Sequence, residues 1–203
     1  MSTPEGFYQL EIFGLMAPIA VMVVTVVIGS RALAGEEERH TMGLLLANPI
    51  KRSKIVLEKT WAMVLYAFVV GFAIFASMAV GSFLGGLDVD AGNIAAASLL
   101  VTLVGMVFGA FSLALGAATG RVKVAVYGSV GVALVFYVTN AMLQLSEDLA
   151  EWARVSPFYY YLTSDPLLQG MHWGHGALLA AMSLILVAAS VWLFQHRDLQ
   201  QSG

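Results

Sequence analysis

The sequence predicts an all-α polytopic membrane protein. About five helices span the bilayer, a charged helix sits on one face and short interfacial helices on the other. Three observations carry this. The 203 residues are 59% hydrophobic and only 11% charged, whereas a soluble domain carries roughly a quarter charged residues. Asp, Glu, Lys and Arg are absent from five windows: 12–30, 60–87, 91–120, 124–146 and 166–196. Each window holds the roughly 20 residues that a helix needs to cross a hydrocarbon core of about 30 Å.

The windows place the spans at about 12–33, 60–83, 94–117, 124–145 and 175–195. Lipid offers the backbone no hydrogen-bond partner, so these runs must close their bonds within helices. The whole chain, 1–203, then reads as a single transmembrane domain. A secretory leader does not fit the start, where Glu5 and Glu11 stand without a Lys or Arg.

Five spans deliver the flanking residues to alternating sides. One side receives Arg31, Arg39, Lys51, Arg52, Lys54, Lys59, Arg121, Lys123 and Arg197; the other receives Arg154 alone. The positive-inside rule makes the first side cytoplasmic. The chain is therefore expected in the cell membrane with its N-terminus outside and its C-terminus in the cytoplasm.

Two connections are long. The first, 35–54, reads GEEERHTMGLLLANPIKRSK. Glu36, Glu37 and Glu38 suit the positive end of a new helix. Met42, Leu45 and Leu46 make an apolar ridge at helical spacing, and Pro49 ends the helix near Ala47. Lys51, Arg52 and Lys54 would meet anionic headgroups. The second connection, 146–174, mixes aromatics with acids and two prolines. It predicts short helices at the outer interface, the first with Leu149, Trp152, Ala153 and Ser156 on one face. Small residues recur within span three: Gly105, Gly109, Ser112, Gly116 and Gly120. Such a stripe allows close helix packing, within the chain or between subunits.

The excluded chemistry is as informative. No span interior carries an acid or base, which argues against proton-coupled transport and intramembrane hydrolysis. Cysteine is absent, so disulfides and thiol catalysis are out. His172 and His175 lack a nearby third ligand for a metal. No basic stripe offers itself to nucleic acid, and no Gly-rich loop with Lys and Ser/Thr cradles nucleotide phosphates.

Residues 34–59, AGEEERHTMGLLLANPIKRSKIVLEK, resemble the cytoplasmic signature of permease subunits of type-2 ATP-binding-cassette exporters. The matching positions are Glu36 to Glu38, Arg39, Thr41, Leu44 to Leu46, Pro49, Arg52 and Lys59. Residues 156–175, SPFYYYLTSDPLLQGMHWGH, are similar to the external segment before the family's last span, and 192–199, WLFQHRDL, resemble its exit. The resemblance implies a coupling helix seated on a separate cytoplasmic ATPase, with that role on Glu36, Glu37, Glu38, Arg39, Thr41, Leu44, Leu45, Asn48 and Pro49. It implies a second permease copy or paralogue, no cofactor on this chain, and ATP with magnesium on the partner ATPase. The family has six spans, so this sequence is expected to lack the first. The competing expectation is a non-transporting assembly or regulatory subunit that keeps the docking helix.

Overall fold

The first spanning helix, α1 (Ala17–Ala32), starts on Pro18 in its first turn and follows one wider turn at 13–16. Proline suits this position because its missing N–H would have no helical partner there. The computed structural model describes residues 13–43, 51–86, 89–143 and 147–197. Among them the remaining elements are α2 (Ala34–Glu38), α3 (Arg52–Gly85), α4 (Ala91–Thr119) and α5 (Val122–Leu143). A 3₁₀ helix (Glu147–Val155), α6 (Pro157–Leu162), α7 (Pro166–Gln169) and α8 (Trp173–His196) follow. No strand occurs among the described residues.

Five of these helices, counting α1 from Phe13, are long and apolar enough to cross a membrane, one for each expected span. Helix α3 is the exception in length. Its 34 residues extend about 51 Å at 1.5 Å per residue, well beyond the hydrocarbon core. The surplus lies at its start, where Arg52, Lys54 and Lys59 ride on helix rather than on a loop. Left-handed glycines close two helices: Gly86 (φ 62°) after α3 and Gly120 (φ 65°) after α4. Asp90 opens α4 by accepting from the Asn93 N–H.

Helix α4 is the centre of the bundle, with α1, α3, α5 and α8 packed around it. Its buried face runs from Ile94 through Leu100, Val104 and Phe108 to Leu113 and Ala117. The crossing with α1 is close enough to exclude side chains. A Cβ added to Gly29 would stand 2.3 Å from the Gly109 carbonyl oxygen, and one on Gly105 would stand 2.3 Å from Val21 Cγ1. Hydrogen bonds reinforce the crossing: Thr25 Oγ1 donates to the Gly105 carbonyl at 2.7 Å and Ser112 Oγ to that of Val26 at 3.0 Å. The outward faces of α3, α5 and α8 expose Trp61, Leu65, Phe72, Tyr127, Leu134, Leu184 and Ile185. A surface of that kind suits lipid rather than water.

The end opposite the cations is closed by the segment before α8. The Tyr161 hydroxyl, fully buried, donates to the Phe13 carbonyl at 2.6 Å. Asn93 Nδ2 donates to the Leu167 carbonyl at 2.9 Å, and Ser156 Oγ to that of Phe136 at 3.2 Å. Phe158 packs against Phe108 and edge-on to Tyr137. The first piece of this cap differs from the expected α-helix. It is a 3₁₀ helix, whose threefold repeat aligns Ala153 with Ser156, both buried, and leaves Trp152 exposed.

Candidate functional site at the basic end

The backbone kinks at Leu33 (φ −115°, ψ −54°) between α1 and α2. Leu33 is fully buried there with Met42, Ile55, Val56, Leu113, Ala117 and Phe194. This apolar knot fixes the base of α2. The acidic run sits in the first turn of a new short helix, as expected, but that helix starts at Ala34 instead of Glu36 and ends at Glu38. A turn follows at Arg39 and His40, with His40 in the left-handed region at φ 56°. Its amide donates to the Glu37 carbonyl at 3.0 Å, and that of Thr41 donates to the Glu36 carbonyl at 2.9 Å. Leu44, Leu45, Leu46, Asn48 and Pro49 lie outside the described residues, as does most of the expected ridge after Met42.

Each glutamate of the run reaches a different helix. Glu36 Oε1 accepts from Lys59 Nζ of α3 at 2.6 Å, and its Oε2 accepts from Thr41 Oγ1 at 2.5 Å. The Lys59 ammonium, and after it the Thr41 hydroxyl, hold the Glu36 carboxyl below the usual carboxylate range, against a smaller opposing effect of burial. Glu37 pairs with the Arg197 guanidinium just after α8. Glu38 Oε1 accepts the Val122 N–H at 2.8 Å, at the first turn of α5, where an unpaired amide and the helix dipole favour an anion.

Two arginines complete the network. Arg197 Nη1 donates to the Ala117 carbonyl at 2.7 Å and to that of Gly116 at 3.4 Å, the open C-terminal end of α4. Arg52 Nη1 donates to the Phe194 and Arg197 carbonyls at 3.3 and 3.1 Å, and its guanidinium lies 6.0 Å from the Phe194 ring. Cations satisfy the last carbonyls of a helix and suit its negative end. Residues 34–41 are thus bonded, directly or through Arg197, to all four of the other spanning helices.

The sequence-selected residues divide three ways. Glu36, Glu37, Glu38 and Thr41 converge in this network. Arg39 and His40 are exposed at the turn. Among the glycines, Gly105 and Gly109 lie within the α1–α4 crossing, and Gly116 approaches α1, with a Cβ there 3.4 Å from the Ser30 carbonyl oxygen. Gly120 borders the network itself: a Cβ would stand 2.5 Å from Glu37 Oε2 and 2.7 Å from Arg197 Nη2. Sequence reasoning missed Arg197 as the junction, Arg52 as a cap on α8, and Gly29. The available signals were the position of Arg197, the first charge after the 31 uncharged residues 166–196, and the Thr25-xxx-Gly29 spacing in span one. His172 and His175 stack at 5.4 Å between ring centres, yet no group of three potential metal ligands occurs among the described residues.

A bundle of spanning helices, polar at one end and capped at the other, with a charged segment gathering the helix ends, defines a multi-pass membrane protein. The family model described as ABC-2 family transporter protein matches residues 2–199. The chain belongs to that family, as a permease component of an ABC transporter. No curated protein and no solved structure matched it.

Proposed function

We propose that the chain is the membrane-spanning permease subunit of an ATP-driven exporter. It contributes the substrate path and performs no catalysis. Hydrolysis of ATP, with magnesium, takes place on a separate cytoplasmic ATPase subunit, and a second permease copy or paralogue completes the assembly. The basic end faces the cytoplasm, so the N-terminus lies outside and the C-terminus inside. Residues 35–54 form the coupling segment, its exposed turn resting on the ATPase.

One observation carries this reading: residues 34–41 are bonded to the ends of the other spanning helices while Arg39 and His40 stay exposed. A force applied at the turn has direct hydrogen-bonded routes into the bundle, as a coupling element requires. The test is co-expression with ABC ATPase subunits from the same genome, followed by assays of complex formation and ATP-dependent efflux. Arg39→Glu should weaken complex formation with the bundle intact, because among the described residues its side chain braces no other helix. A stable complex that hydrolyses ATP but moves no substrate would favour the assembly-subunit alternative. Unchanged association and transport in Arg39→Glu would remove the turn from the docking surface.

A further inference from the structure

Arg197 joins three parts of the molecule that the chain itself keeps far apart. Its guanidinium holds Glu37 of α2 and the last carbonyls of α4, while its own carbonyl accepts from Arg52 of α3. The bonds are partly shielded from water, with the Arg197 and Glu37 side chains only 20% and 17% exposed. Glu37 Oε1 is buried without a partner among the described residues, so this carboxylate depends on Arg197 for its compensation. A second ionic pair, Lys59 with Glu36, lies on the same short segment.

We propose that Arg197 is the positioning residue of an ionic lock that holds the basic ends of the helices together, and that displacement of residues 34–41 releases it. The lock deepens the coupling reading of that segment and rests on it for its purpose. Its existence is tested on the chain alone. Moving α2 by a few ångströms would separate Glu37 from Arg197, Glu36 from Lys59 and Glu38 from the α5 start in one step. Arg197 would then lose the carboxylate that steadies it against the carbonyl end of α4, and the helix ends could part. The opposite ends, held by Tyr161, Asn93 and Ser156, would stay closed.

The absence of cysteine allows a direct measurement. Ser30→Cys reports on the basic end: Ser30 is fully buried, and a Cβ on Gly116, whose carbonyl Arg197 holds, would stand 3.4 Å from the Ser30 carbonyl oxygen. Ser98→Cys, also buried, reports on the capped half of α4. Both single-cysteine proteins are purified in neutral-lipid nanodiscs and labelled with a small maleimide. Charge-assisted hydrogen bonds of this kind resist local opening by roughly tenfold or more. Arg197→Gln should therefore raise labelling at position 30 by about tenfold and leave position 98 unchanged. Glu37→Gln, which keeps the arginine on its carbonyls, gives the same contrast more weakly and serves if Arg197→Gln fails to fold. The charge exchange Glu36→Lys with Lys59→Glu should restore the unmodified rate that either single change raises. Equal acceleration at both reporters would mean general loosening and would overturn the lock, as would no acceleration at position 30. Neither result depends on identifying the ATPase, so a failed lock and a failed transport assignment remain distinct.

Discussion

Gly29→Ala tests how the bundle is held. The added Cβ would stand 2.3 Å from the Gly109 carbonyl oxygen, 3.2 Å from the Leu113 nitrogen and 3.3 Å from the Gly109 carbonyl carbon. All three are backbone atoms, so no rotamer change relieves the clash. Ordinary contact begins near 3.4 Å, which leaves a shortfall of 1.1 Å (3.4 minus 2.3). Helices α1 and α4 must move apart by about that distance. Overpacking of this kind costs about 1–3 kcal/mol. The separation also strains the Thr25–Gly105 and Ser112–Val26 hydrogen bonds, each worth roughly 0.6 kcal/mol between membrane helices. The better helix propensity of alanine returns at most about 1 kcal/mol. The net expectation is a loss of about 2 kcal/mol. The assay is equilibrium unfolding in mixed micelles, followed by helical circular dichroism. Gly131→Ala is the control, because a Cβ there meets nothing within 4 Å. Equal stability of the two variants would refute the claim that backbone contact at this crossing organises the fold.

Three further outcomes follow from the same packing. Gly120→Ala should cost about 2 kcal/mol in the same unfolding assay, since the left-handed backbone alone penalises a Cβ by roughly 1–2 kcal/mol and the Cβ would also press on Glu37 and Arg197. Tyr161→Phe should cost about 1 kcal/mol through the lost bond to Phe13. Burial raises the Tyr161 phenol above its ordinary range, so that loss should be constant from pH 6 to pH 8 and should shrink only as pH rises through the ordinary phenol value of about 10, where the unfolded chain ionises first; shrinkage already at pH 8 would count against it. For Glu36 the folded pKa lies below the ordinary carboxyl value of about 4.5, so its contribution is complete above that value and is lost as pH falls through the lower folded one. The stability difference between Glu36→Gln and the unmodified chain should be flat from pH 7 to 5 and should shrink only below about 4.5; shrinkage already at pH 6 would contradict the Lys59 pairing.

Much of this molecule is legible in one dimension because lipid is a demanding solvent. Uncharged windows long enough to cross it mark five helices within a few residues. Departures arise where water or protein replaces lipid as the neighbour. Helix α3 begins eight residues before its expected start because nothing in the 52–59 sequence breaks a helix once it leaves the bilayer. The acidic run shows the other kind of departure. Read alone, Glu36 to Glu38 are three surface charges suited to a docking partner. In the fold, each is taken by a different helix of the same chain, which leaves the exposed turn at Arg39 and His40 for contact with anything else.

The sequence by itself determined the class of solvent, the number of spans and the gathering of cations at one end, because each follows from the cost of placing charge and bare backbone in hydrocarbon. Tertiary structure alone decided which groups meet. Arg197 and Glu37 are 160 residues apart along the chain, and no local pattern links them. Gly29 meets Gly109 only once two helices choose their crossing. Pairings of this kind depend on angles and distances between elements, which residue order constrains only through the packing of the whole bundle.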